Sequence, residues 1–410
     1  MRTKKITNRE IDLFLTLRYT PFSNKTSKEY SKYNYNFKTF VEKSREIFLD
    51  NIKKEIKGEK SVALFLSGGV DSSAVLAALS TFDIKVKTYT LGFYKSDPDL
   101  LLARRLSKYY GTKHKEIVLD KFPKRVFEEC IKNMEFPNGD PTVIPVRILT
   151  GQIEGVKKIF VGEGGDEVFG GYPEFRYTVL SKYIKPFPGF IKNIFFNFAS
   201  EEIKERGRNF FKYLNNPPKS FLYLKSVFTP EEKEKLYTDD FKVNIKNGTV
   251  FNFEKKLSFL QNVMKFYLEN QLPNRLISKY PQDNNFKFCF PMLDKRLIDL
   301  MLLAPLKYKF NLINEENKKV LREIMKPEQP TFIYKTKKRG FTVPIEEWMD
   351  GGLKKEVSKV LNKEEIEKER RFNWDFIQEV LTNYKKNFYW RNKLWTLLVL
   401  EKWLVKRKVK

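Results

Sequence analysis

Residues 61–80, SVALFLSGGVDSSAVLAALS, pass from a short apolar run of buried-strand type through a glycine pair directly into a helix. A strand that hands over to a helix this abruptly constrains the fold, because such units assemble into a parallel sheet with helices on its faces. The flanking sequence repeats the pattern. Helix FKTFVEKSREIFLDNIKKEI (37–56) precedes the junction. Strand KVKTYTLGF, helix DPDLLLARRLSKYYG, strand HKEIVL, helices KRVFEECIKNM and PVRILTGQIEG, and strand KKIFVG follow it. The alternation predicts an α/β protein with a doubly wound parallel sheet. After about residue 175 the strand pattern fades, and charged helical stretches run to the end.

The glycine pair also carries chemistry. Ser67, Gly68, Gly69, Val70, Asp71, Ser72 and Ser73 lie where the strand turns into the helix. Glycine lets the backbone approach an anion closely, and a helix start offers free N–H groups, so the loop reads as a phosphate cradle. It is not a Walker loop, since no Gly-Lys-Ser/Thr is present. Asp71 stands instead, and a carboxylate repels phosphate unless a divalent cation lies between them. The expected ligand is a magnesium-bound polyphosphate.

A second stretch, FVGEGGDEVFGGYPEF (160–175), concentrates four acidic residues and five glycines in a chain with 78 Lys+Arg against 51 Asp+Glu. It emerges from a predicted strand, so it belongs at the carboxyl edge of the sheet, where open α/β sheets bind ligands. Glu163 and Asp166 would then face the polyphosphate from the side opposite Asp71. Two carboxylates flanking phosphates can hold magnesium, and one further out can serve in proton transfer.

SGGVDSS resembles the pyrophosphate loop of the ATP pyrophosphatases, and together with GEGGDEVFGGY it resembles the synthetase domain of the asparagine synthetase family, which also includes β-lactam synthetases and lasso-peptide cyclases. EFPNGDPTVIP, LPNRLISK, FPMLDKRLIDLMLLAP and KTKKRGFTVPIEEW are similar to further family segments, so the resemblance covers roughly residues 6–405. It implies a PP-loop, adenine nucleotide alpha-hydrolase-like α/β fold with a mostly helical C-terminal part. Expected boundaries are a connector at 1–37, the α/β domain at 38–180 and the helical part at 181–410. It implies ATP and Mg2+ as cofactors, with Asp71 and Asp166 as metal ligands and Phe65, Ser67, Gly68, Gly69, Asp71, Ser72, Ser73, Leu91 and Gly162 around the nucleotide. Glu163 matches the glutamate that manages protons during amine attack. Lys338 matches a lysine that stabilises charge at the adenylate, in a loop where Lys335, Lys337 and Arg339 crowd beside it. The implied activity is adenylation of a carboxylate followed by transfer of ammonia or another amine. Aspartate is the default acid, with small-molecule, peptide or sugar carboxylates as other options.

The sequence departs from the family in two places. Position 2 is Arg2 and no cysteine precedes Cys130, so the nucleophile of an N-terminal glutaminase is not found. Free ammonia, an amine or a separate glutaminase subunit is expected to supply nitrogen. Where the family carries a longer segment ending in LEARVPFLD, this chain has YPQDNNFKFCFPMLD, with Lys287 and Cys289 at the usual glutamate and arginine. Cysteine cannot make the bidentate contact of an arginine with a substrate carboxylate, which questions aspartate.

Composition bounds the remaining classes. Two cysteines and one histidine, His114, exclude a disulfide framework, a zinc cluster and a Ser-His-Asp triad. No apolar run reaches the length of a membrane span and no secretory leader is visible, so a cytoplasmic location is the expectation. The net charge of +27 is spread through segments such as IKKEIKGEK, as on solvated helix faces. The same charge suits a nucleic-acid partner, and a tRNA-modifying ATP pyrophosphatase is the alternative reading. Cys130 and His114 are expected to be structural.

Overall fold

The computed structural model describes residues 6–20, 34–188, 210–243, 251, 253–281, 285–312, 316–334 and 340–408. Helix α1 (Asn8–Leu17) and helix α2 (Phe37–Ile56) lead into strand β1 (Ser61–Phe65), then α3 (Val70–Leu79), β2 (Lys85–Gly92), α4 (Pro98–Tyr110) and β3 (Lys113–Val118). Helices α5 (Lys124–Asn133) and α6 (Val143–Thr150) return the chain to β4 (Lys158–Phe160), followed by α7 (Gly165–Phe169) and α8 (Pro173–Ile184). Local chemistry sets these limits. Thr7 caps α1 through a reciprocal box with Glu10. The Asn36 side chain accepts from the Thr39 amide at the start of α2. Helix α6 begins two residues ahead of the expected Pro145, because proline in a first turn has no intrahelical hydrogen bond to lose.

The sheet is wholly parallel with order β3-β2-β1-β4-β5, as the alternation of elements predicts. The fifth strand, β5 (Lys287–Cys289), was not expected. It has only three residues, too few for a periodic signal, and pairs Ile159 with Phe288 at the edge. The strand order reverses between β1 and β4. The crossovers from β1 and from β4 therefore leave in opposite directions, and a crevice opens at the carboxyl ends of these two neighbours.

Alternation along β1 divides the core. Val62 and Leu64 are fully buried against α2, α3 and α4 through Phe48, Ile52, Leu76 and Leu106. Ala63 faces the other layer, where α5 and α6 pack beneath the last helix, Phe388–Lys408, through Phe127, Ile144, Trp395 and Leu398. Ile11, Phe14 and Leu15 of α1 join this second cluster. A third cluster ties Phe175 of α8 to Val263, Met264 and Tyr267.

Trp395 links the C-terminal helix to the sheet edge. Its ring is 1% exposed and lies 5.7 Å from that of Phe127, and its Nε1–H donates to the Gly139 carbonyl at 3.0 Å. Trp395→Phe should lower unfolding free energy by about 1–2 kcal/mol by orphaning that carbonyl. Trp395→Ala should lower it by about 3–5 kcal/mol through the cavity it leaves. Urea-unfolding midpoints of the two variants check this order.

Candidate active site

The turn after β1 is held before any ligand arrives. The Ser67 amide donates to Ser72 Oγ at 3.1 Å, and Thr90 Oγ1 of β2 donates to the Leu66 carbonyl at 2.5 Å. The loop after β4 presses against it. A Cβ at Gly162 would fall 2.8 Å from the Ser72 nitrogen, so only glycine allows the two loops to approach this closely. A cleft of about 1030 Å³ opens over both loops.

Lys318 stands at the centre of the crevice. Its Nζ lies 2.5 Å from Asp71 Oδ2 and 2.8 Å from Asp166 Oδ1, and 4% of its side chain is exposed. Burial works to lower the Lys318 pKa, but the two carboxylates outweigh it and hold the ammonium charged. Lys318 also adopts φ 54°, a left-handed conformation unusual for a side-chain-bearing residue, just ahead of helix Lys319–Ile324. Asn317 fixes the segment by donating to the Gly171 carbonyl at 3.1 Å.

The donor set fits a polyphosphate with a divalent cation. Among the described residues no three acidic, histidine or cysteine side chains form a protein-only metal cage. A magnesium ion that keeps waters and takes phosphate oxygens needs only one or two carboxylates. Asp71 and Asp166 already share one cation, and the cradle of Ser67, Gly68, Gly69 and Ser72 lies beside them on the cleft wall.

Glu163, three residues before Asp166, belongs to a separate group. Its Oε1 is 2.6 Å from Lys279 Nζ and accepts from the Tyr280 hydroxyl at 3.0 Å. Burial opposes the charge on Lys279, but Glu163 and then Asp140 outweigh it and raise the pKa. Lys279 also donates to Thr142 Oγ1 at 3.1 Å. Asp140 accepts from the Thr142 amide and hydroxyl at 3.0 and 2.7 Å. Burial alone would raise the Asp140 pKa; Arg275 and Lys279 hold it down at about 2.

The structure brings most of the expected residues to one place. Phe65, Ser67, Gly68, Gly69, Asp71, Ser72, Leu91, Gly162, Glu163 and Asp166 all line the cleft. Ser73 is turned into α3, where its hydroxyl donates to the Gly69 carbonyl at 2.6 Å. Lys338 lies outside the described residues, with Lys335, Lys337 and Arg339. Glu167 and Glu174, which had no expected role, are scaffolding. Glu167 accepts from the Tyr172 hydroxyl at 2.5 Å, and its pKa is pushed up to about 7 by burial and by Asp166. Glu174 accepts from Tyr267 at 3.2 Å.

Position 289 corrects an expectation. Cys289 points to the α2 side of the sheet, where its thiol donates to Glu55 at 3.4 Å and Lys287 pairs with Glu55 at 2.6 Å. Neither lines the cleft; Phe288 between them faces the other way, 4.8 Å from the Tyr280 ring. The residue at 289 therefore does not argue against any acid substrate. Cys130 and His114 are structural: Cys130 packs in the core, and His114 Nδ1 lies 2.9 Å from Thr88 Oγ1 with its pKa lowered by burial.

Sequence reasoning missed Lys318, Lys279 and Arg275. Each comes from the helical part, far along the chain from the loops it meets. The available signal for Lys318 was a lysine pair directly ahead of the apolar run VLREIM.

A parallel sheet with a glycine-rich cradle after β1, and a second acidic loop after β4 at its switch point, defines the PP-loop class of nucleotide-binding α/β proteins. The family profile described as asparagine synthase matches residues 43–405. The chain belongs to the asparagine synthase family. It is 22% identical to asparagine synthetase [glutamine-hydrolyzing] 1 of Bacillus subtilis over 93% of this chain and 63% of that protein. Amidase chyE of Penicillium rubens is 22% identical over 83% of this chain and 58% of its own length. The chain thus spans about three fifths of these relatives. Among solved structures, NH3-dependent NAD synthetase of Campylobacter jejuni is 18% identical over 45% of this chain and 86% of that one, with a TM-score of 0.24.

Gly171 tests the geometry of the charged centre. A Cβ there would fall 1.8 Å from Asp166 Oδ1 and 2.2 Å from Lys318 Cε. Gly171→Ala should weaken magnesium-ATP binding by at least about tenfold (~1.4 kcal/mol) through displacement of both groups. Isothermal titration calorimetry with ATP, with and without magnesium, measures the loss.

Proposed function

We propose that this protein is an ATP-dependent, AMP-forming carbon–nitrogen ligase that adenylates a carboxylate and passes it to ammonia or another amine. The observation that carries the reading is the Lys318 bridge between Asp71 and Asp166, set over a phosphate cradle, with Glu163 in the same cleft. Magnesium held by Asp71 and Asp166 would neutralise the phosphates and polarise the phosphorus. A substrate carboxylate oxygen attacks the α-phosphorus, the bond to the β-phosphate oxygen breaks, and pyrophosphate leaves into the Ser67–Ser72 cradle. Lys318, freed to share its charge with the phosphates, would stabilise the developing negative charge there. Lys338 would serve at the adenylate.

Amide formation then needs a proton acceptor. Nitrogen attacks the acyl carbon, AMP departs, and the attacking nitrogen loses a proton. Glu163 is suited to accept it, since Lys279 and Tyr280 hold one of its oxygens in place within the cleft. Residues 1–37, 38–180 and 181–410 would act as connector, nucleotide-binding unit and helical cover. Nitrogen would come as ammonia, as an amine or from a separate glutaminase. No helix among the described residues is long and apolar enough to cross a membrane.

The two half-reactions separate the roles of the carboxylates. Asp71→Asn should reduce exchange of labelled pyrophosphate into ATP, driven by a carboxylic acid, at least about 100-fold. Glu163→Gln should leave exchange within a few-fold while slowing amide release about 100-fold or more. Undiminished ATP cleavage by the Asp71 variant would sink the reading.

A further inference from the structure

We propose that the amino-terminal corner of β2 and β3, at the end of the sheet opposite the cleft, binds a single strand of nucleic acid. The two strands run parallel, with Lys87 opposite Lys113 and Tyr89 opposite Lys115. Because side chains alternate along a strand, Lys85 and Lys87 of β2 share one face of the sheet with Lys113 and Lys115 of β3. Lys85, Lys113 and Lys115 are exposed and Lys87 is half-buried. Helix α4 meets β3 through Gly111 at φ 64°, and Lys108 and Tyr109 are exposed just before that turn. The Tyr109 ring is 58% exposed and is held edge-on 4.9 Å from that of Tyr110.

These cations are unanswered. Exposed lysines elsewhere meet an acid one helical turn away, as in Lys43–Glu46, Lys54–Asp50, Lys295–Asp299 and Lys326–Glu323. Among the described residues Lys85, Lys87, Lys108, Lys113 and Lys115 make no ion pair. Glu116 is turned to the other face of β3, where it pairs with Arg104 at 2.6 Å, and Glu154 offers Lys87 its carbonyl at 2.9 Å. Like charges set side by side repel, and a polyanion laid across them removes that cost. Lysines on an edge strand can guard it against pairing with another sheet. That accounts for Lys113 and Lys115, but Lys85 and Lys87 belong to an interior strand and Lys108 to a helix. The cations wrap a strand edge as a ridge, with an exposed tyrosine ring at the corner. A phosphodiester backbone matches the ridge, and an unpaired base can stack on the ring. A membrane surface would call for a wider apolar face to insert.

Fluorescence anisotropy with labelled oligouridylate and oligothymidylate tests the surface, and the ranking of the two tells RNA from DNA. We expect the wild-type log affinity to fall against log salt with a slope of about −3 or steeper. The combined variant Lys85→Ala, Lys113→Ala, Lys115→Ala should bind at least about tenfold more weakly at low salt and flatten that slope by about 2. Tyr109→Ala should weaken binding about tenfold with the slope unchanged, and Tyr109→Phe should retain it. Lys43→Ala, Lys54→Ala, Lys326→Ala, which removes equal charge from paired sites, should bind like wild type. An equal loss in that control overturns the assignment. So does tighter binding of duplex, of polyglutamate or of phosphatidylserine vesicles than of either single strand. If the variant at the corner does not fold, the wild-type salt slope and the two Tyr109 variants still decide it.

Discussion

The site depends on placing one buried ammonium between two carboxylates that the fold would otherwise force together. Asp71 begins the helix after β1 and Asp166 the helix after β4, so the topology that makes the crevice also brings like charges close. Lys318 resolves the conflict by contacting both within 2.8 Å. Removing Lys318 would leave the two carboxylates facing each other without their shared cation, the expensive way to break such a cluster. The left-handed backbone at Lys318 fits this view: strain at that residue persists because Asn317 and two carboxylates fix it from three directions. Lys318 is thereby kept charged in a nearly buried position.

One short stretch serves both ends of the cleft. Glu163 lies in the loop after β4 and Asp166 in the first turn of α7, and the change from loop to helix sends their side chains to different partners. Asp166 pairs with Lys318, and Glu163 with Lys279 and Tyr280. In the proposed reaction the separation matters chemically, because a carboxylate bound to a metal would be a poor proton acceptor, and Glu163 stands apart from the pair that would hold one.

Much of this was legible in the sequence, and the parts that were not share a cause. The cradle, the acidic loop and the parallel sheet were readable because each is local: a strand, a glycine pair and a helix start within a dozen residues. Lys318, Lys279 and Arg275 were hidden among 78 basic residues, since the property that distinguishes them, burial against an acid, is tertiary. Strand β5 was too short to show a period. The cysteine at position 289, where the family carries an arginine, misled for a related reason. A three-residue strand with period 2 puts neighbouring side chains on opposite faces, and nothing in FKFCF says which face meets the cleft.

The helical half is therefore part of the site rather than a support for it. The ammonium groups against Glu163, Asp71 and Asp166 arrive from residues 279 and 318 of the helical half. The C-terminal helix adds Asn392 to the wall and, through Trp395, holds the Gly139–Asp140 turn in place. Binding and packing are then coupled. A ligand that engages both loops and the helical cations binds only the assembled state, and it stabilises that state by RT ln(1 + [L]/Kd). Loosening the helical part from the sheet would withdraw the ammonium groups of Lys279 and Lys318 from the carboxylates they face, and the like charges left on the two loops would then repel each other.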